Sequence, residues 1–101
     1  LGNEAVAWLK AVPQGRPYFL YLPFNAVHAP MQAPPEALEP FSSMADPKRR
    51  VLAAMLHVLD VQVGRVLDAI EQGGETKDTL VVFLSDNGGA VSTGSRNLPY
   101  R

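Results

Sequence analysis

Residues 46–74 read DPKRRVLAAMLHVLDVQVGRVLDAIEQGG, and their reading decides the fold. Asp46-Pro47 is a helix-start signal, a capping carboxylate followed by proline at the first helical position. Leu52, Met55, Leu59, Val63, Val66 and Ile70 then recur at steps of three and four, one apolar stripe on a long amphipathic helix. Gly73-Gly74 supplies the stop. The spacing predicts a helix over 47–72. The first turn carries Lys48, Arg49 and Arg50, an unfavourable sign for the helix dipole; an acidic neighbour could face them, and solvated surface is the preferred reading.

Two apolar runs flank this helix. Pro17-Tyr-Phe-Leu-Tyr-Leu-Pro23 and Thr79-Leu-Val-Val-Phe-Leu-Ser85 are short, nearly continuous, and rich in aromatic or β-branched residues. Each is expected to be a strand covered on both faces. Strand, helix, strand in that order implies an α/β fold, with two parallel strands near 17–23 and 79–85 joined by a long right-handed crossover helix. Upstream, Asn3 is a candidate N-cap for a short helix over Glu4 to Val12, broken by Pro13-Gln-Gly15. Phe24 to Pro40 holds Pro30, Pro34, Pro35 and Pro40 and is expected to be irregular. Asp86 to Arg101, rich in Gly, Ser and Asn, is expected to be loop.

Composition excludes several classes. The 101 residues are 47% apolar and 19% charged, an ordinary globular balance. Nine basic and ten acidic residues leave a net charge of −1, which gives no electrostatic case for nucleic acid or an anionic membrane. The absence of cysteine removes disulfides, thiolate metal sites and a cysteine nucleophile. No apolar run approaches the roughly 20 residues that span a bilayer. Two strands alone leave open sheet edges. The chain also opens Leu1-Gly2-Asn3 without an initiator Met. It therefore reads as the middle of a larger α/β domain, or as a chain that self-associates through those edges.

In open α/β sheets, sites form at the carboxyl ends of the strands. Two polar clusters fall there. After the first run come Asn25 and His28, and after the second come Asp86-Asn87-Gly88-Gly89. Asp86 and Asn87 offer a carboxylate and an amide carbonyl, hard oxygen donors suited to Ca²⁺ or Mg²⁺. Asn-Gly is equally a turn signal, and the residues alone leave site and turn open. His28 has a plain reading as a loop histidine bonded to a backbone carbonyl. It has a chemical one as a donor to an anionic oxygen or a leaving group. His57 lies off the apolar stripe and is given no role. Ser92, Thr93 and Ser95 have no paired base and are not read as nucleophiles.

Three segments resemble the sulfatase family in order and spacing. Pro17 to Pro30 is similar to a segment reading roughly P-F-F-L-Y, five variable positions, then P-H-x-P, with Val27 standing where the family commonly has Pro. Met55 to Asp68 resembles the long helix that follows. Thr79 to Gly89 resembles T-x-x-x-F-x-S-D-N-G-G. The resemblance covers nearly the whole chain. It implies that residues 1–101 are the central segment of a sulfatase domain, a fragment of an alkaline-phosphatase-like sheet. It implies hydrolysis of sulfate monoesters at a Ca²⁺ site by a formylglycine made from Cys or Ser. Carried over, Asp86 and Asn87 are Ca²⁺ ligands and His28 is the histidine that contacts the sulfate or assists the leaving oxygen. The family's aspartate pair and its C/S-x-P-x-R motif are expected upstream, and a catalytic lysine shortly after Arg101. The isolated chain is accordingly expected to be inactive and to hold Ca²⁺ weakly or not at all. The competing expectations are a phosphomonoester or phosphodiester hydrolase of the same superfamily, and a non-catalytic self-associating fragment.

Overall fold

The computed structural model describes residues 1–99. The last two residues of the expected tail loop, Tyr100 and Arg101, lie outside the described residues. The regular elements among those described are α1 (Gly2–Ala11), α2 (Pro35–Leu38) and α3 (Pro47–Gln72), with 3₁₀ turns at Glu39–Phe41 and Val91–Thr93. None of the helices is long and apolar enough to cross a membrane among the described residues.

The long helix has the predicted ends, and both are made locally. Asp46 Oδ1 accepts from the backbone N–H of Lys48 at 2.9 Å and of Arg49 at 3.3 Å, which satisfies two of the amides a helix start leaves unpaired. At the other end Gly74 adopts φ 75°, and two bonds close over the last carbonyls. Gly74 N–H donates to Glu71 O at 2.9 Å and Glu75 N–H donates to Ile70 O at 3.2 Å. That pairing is a Schellman stop, which needs a residue free of Cβ strain at the left-handed position. Leu52, Met55 and Ile70 of the predicted stripe are buried, and Leu59, Val63 and Val66 are half-buried.

The expected parallel strands are not there. Among the described residues no strand forms, and the segments at 17–23 and 79–85 run without a ladder. Propensity and apolar content favour an extended backbone but do not supply a hydrogen-bonded neighbour, and a strand exists only with one. Cover on both faces fails as well. In the first segment Tyr18, Leu20 and Leu22 are half-buried, whereas Phe19 is 88% and Tyr21 77% exposed. The alternation has the period of two of extended chain, with one face covered. In the second segment Leu80 is 89% and Phe83 73% exposed, so neither face is covered. The α/β assignment is therefore replaced by a helical chain in which, among the described residues, the segments at 17–23 and 79–85 have no regular structure.

The chain forms two compact units. One comprises Leu1–Phe24 and Asp60–Val81. Its buried residues are Gly2 and Ala5 of α1 and Ala69 and Ile70 of α3. Asn3 sits inside α1 rather than capping it. Its Oδ1 accepts from Arg65 Nη1 at 2.6 Å, and Leu1 stands at the N-cap. Trp8 meets Tyr18 edge to face with centroids 5.6 Å apart. The other unit comprises Asn25–Leu59 and Val82–Arg101. Its proline-rich stretch is less irregular than expected. Pro35 occupies the first turn of α2, where its missing N–H costs nothing, and Ala37 is buried beneath it. Arg50 fastens the approach to α3 by donating from Nε and Nη2 to Met44 O, at 3.2 and 2.6 Å.

The cap carries a measurable share of stability. Asp46→Ala should lower the unfolding free energy by about 1 kcal/mol, read by urea titration followed by circular dichroism. An unchanged midpoint would show that the side chain contributes nothing at this helix start.

Candidate functional site

The residues singled out at the two chain turns all fall in the unit formed by Asn25–Leu59 and Val82–Arg101. His28 follows a tight turn in which its own N–H donates to Asn25 O at 2.8 Å. Its ring is exposed, and Nδ1 lies 2.8 Å from Ala29 O. A carbonyl only accepts, so Nδ1 carries the proton, and Nε2 is the ring atom left to take or give one. The plain reading of His28, a loop histidine bonded to a backbone carbonyl, is thus present in the structure. His57, which was given no role, is exposed and lies edge-on to Phe41 with centroids 6.0 Å apart.

Asp86 and Asn87 form an exposed turn closed by the Ser85 hydroxyl, which donates to Asn87 O at 2.6 Å. Asn87 Nδ2 donates to Gly88 O at 2.8 Å. With its nitrogen so engaged, the side chain leaves Oδ1 as its free acceptor. Among the described residues no donor is bonded to the Asp86 carboxylate. Two unengaged hard oxygens on consecutive residues suit a divalent cation such as Ca²⁺. They are a partial set. Among the described residues no group of three or more His, Asp or Glu side chains is gathered to hold a metal, and none of the hydrogen bonds joins His28 to this turn.

Three contacts had no counterpart in the sequence reading. Asn97 grips Gly89 through both ends of its amide: Gly89 N–H donates to Oδ1 at 2.9 Å, and Nδ2 donates to Gly89 O at 2.8 Å. Arg49 Nη1 donates to Gly94 O at 3.0 Å, and Lys48 Nζ donates to Ser92 O at 3.3 Å. In the basic first turn of α3, Arg49 and Arg50 are half-buried on backbone carbonyls rather than left in solvent, whereas Lys48 is exposed as expected. The one legible signal was the Gly88-Gly89 pair, since paired glycines mark a close approach of something to the backbone. What approaches is Ser95 and Asn97. A Cβ on Gly89 would lie 2.5 Å from Ser95 Cβ, and one on Gly88 would lie 3.2 Å from Asn97 Oδ1.

Residues 1–100 match the family model described as Sulfatase. The chain belongs to the sulfatase family. It is 38% identical over 86 residues to arylsulfatase J of Mus musculus, a match covering 85% of this chain and 14% of that protein. It is 34% identical over 119 residues to a sulfatase of Formosa agariphila, covering 100% of this chain and 20% of that one. A crystal structure of Ps i-CgsB in complex with k-i-k-neocarrahexaose is 39% identical and superposes with a TM-score of 0.90, over 97% of this chain and 22% of that one. This sulfatase chain thus spans from 14% to 29% of the length of the curated relatives it matches.

The glycine requirement is testable by contrast. Gly89→Ala should displace the amide resonances of Ser95 and Asn97, because something in that contact must shift. Gly64→Ala, inside α3 with nothing within 4 Å of the new methyl, should leave them alone and stabilise the helix by about 1 kcal/mol. Equal spectra for Gly89→Ala and the unmodified chain would contradict the close approach.

Proposed function

We propose that this chain supplies part of the active site of a sulfatase that hydrolyses sulfate monoesters. The observation that carries the reading is the turn at 85–89, where Asp86 and Asn87 present two unengaged hard oxygens within a chain of this family. Asp86 and Asn87 are assigned as Ca²⁺ ligands. Ca²⁺ takes six to eight oxygens, so most of its shell comes from outside these 101 residues. When bound, the ion supplies Lewis-acid stabilisation of sulfate oxygens.

His28 is assigned to the substrate. Its Nδ1–H is held by Ala29 O, so Nε2 is the ring atom that can take up a proton and pass it to a sulfate oxygen or to the oxygen of the departing alcohol as the S–O bond breaks. The nucleophile is assigned to a formylglycine outside this chain. The 101 residues hold no cysteine, and Ser42, Ser43, Ser85, Ser92 and Ser95 lack the Pro and Arg of the modification motif. Covalent catalysis needs that nucleophile, so the 101-residue chain by itself should not turn over a chromogenic aryl sulfate.

In a complete sulfatase carrying these residues, Asp86→Ala should lower both Ca²⁺ affinity by calorimetry and aryl sulfate turnover. His28→Ala should lower turnover on the order of 100-fold and leave Ca²⁺ affinity in place. Unchanged Ca²⁺ binding in Asp86→Ala would remove the metal assignment, and unchanged turnover in His28→Ala would remove the acid.

A further inference from the structure

We propose that Asn97 is a positioning residue for the Asp86–Asn87 turn, a clasp that sets the two ligand oxygens before any ion arrives. The proposal rests on the metal reading above and adds a residue that touches neither ion nor substrate. Its basis is a two-point bond. The Asn97 amide accepts from Gly89 N–H at 2.9 Å and donates to Gly89 O at 2.8 Å. Both polar atoms of one planar group are thus spent on both polar groups of one backbone residue. A single bond would leave the turn free to swivel about it, whereas two parallel bonds fix distance and orientation together.

The clasp is itself held in place. After Gly89 the chain makes the 3₁₀ turn Val91–Thr93, which Thr93 Oγ1 secures by donating to Ala90 O at 2.7 Å. Gly94 then reverses direction at φ 89°, and its carbonyl accepts from Arg49 of α3. A Cβ on Gly94 would lie 3.2 Å from Arg49 N, so the return segment lies directly on the first turn of α3. The 86–89 turn is therefore fixed at its far side to a segment that is fixed to a capped helix. Ordering backbone costs conformational entropy, and a turn already ordered by the clasp does not incur that cost when a ligand binds.

The test is an NMR titration of the 101-residue chain with Ca²⁺, alongside amide hydrogen exchange. In the unmodified chain the Gly89 amide should exchange more slowly than that of Gly15, an exposed loop glycine. In Asn97→Ala that protection should vanish. Ca²⁺ affinity, read from the shifts of residues 86–89, should fall about ten-fold, the range found when groups that orient metal ligands are removed. Helix content by circular dichroism should be unchanged. If Asn97→Ala loses helix, Asn97→Gln, whose longer arm cannot make both bonds at once, takes its place with the same expectation.

Asp86→Ala separates the two levels. If Ca²⁺ shifts are lost in Asp86→Ala but Asn97→Ala keeps full affinity, the metal reading stands and the clasp is overturned. If Asp86→Ala binds Ca²⁺ as the unmodified chain does, the metal reading itself fails and the proposal falls with it; if the unmodified chain shows no saturable shifts, the same comparison is read by calorimetry in a complete sulfatase carrying these residues, with the same expectations. A Gly89 amide that exchanges as fast as Gly15 overturns the clasp without any variant.

Discussion

Asp46 Oδ1 takes up the amide protons of Lys48 and Arg49, and the candidate site depends on the helix start fixed in this way. A capped first turn presents Arg49 and Lys48 at set positions, and their cations then hold the carbonyls of Gly94 and Ser92. Three basic residues at a helix N-terminus oppose the dipole on charge alone. Here the opposition is offset by the Asp46 carboxylate beside the same amides, and Lys48, Arg49 and Arg50 each find a backbone oxygen. Charge pattern by itself missed the partners of Arg49 and Arg50, because a carbonyl partner leaves no trace in a count of acids and bases, while Lys48 is exposed as that pattern implied.

The same distinction separates what could be read in the sequence from what could not. Both ends of α3 were legible because a cap and a Schellman stop involve residues within a few positions of each other. The turn at Ser85–Gly88 was legible for the same reason, since the Asp86-Asn87-Gly88-Gly89 string contains its own bend. The strands were not. Phe19, Tyr21, Leu80 and Phe83 were counted as buried on composition, and the structure exposes all four. Burial of a strand is a property of its neighbours, and no run of Val, Leu and Phe specifies them. Asn97 was missed on like grounds. It sits in a tail of Ser, Gly and Arg, where an asparagine looks like any turn residue, and its partner lies eight positions back.

A sulfatase chain of this extent holds a short list of site chemistry. It contributes one imidazole with an assigned tautomer and two adjacent oxygens on a clasped turn. It spans less than a third of its curated relatives. Its extended segments carry large apolar side chains in solvent. The site chemistry therefore does not reside in a finished cavity. The candidate residues lie in local geometry that is already set at the scale of one turn and one loop.

Paramagnetic broadening by Mn²⁺, a hard divalent cation that shares these oxygen donors, tests that placement most directly. Added in small amounts to the isotopically labelled chain, it should broaden the amides of Asp86, Asn87, Gly88 and Gly89 first and the rest in order of distance from them. Broadening centred instead on Glu36 and Glu39, or on the Glu75 to Asp78 stretch, would contradict the assignment of the metal to the clasped turn.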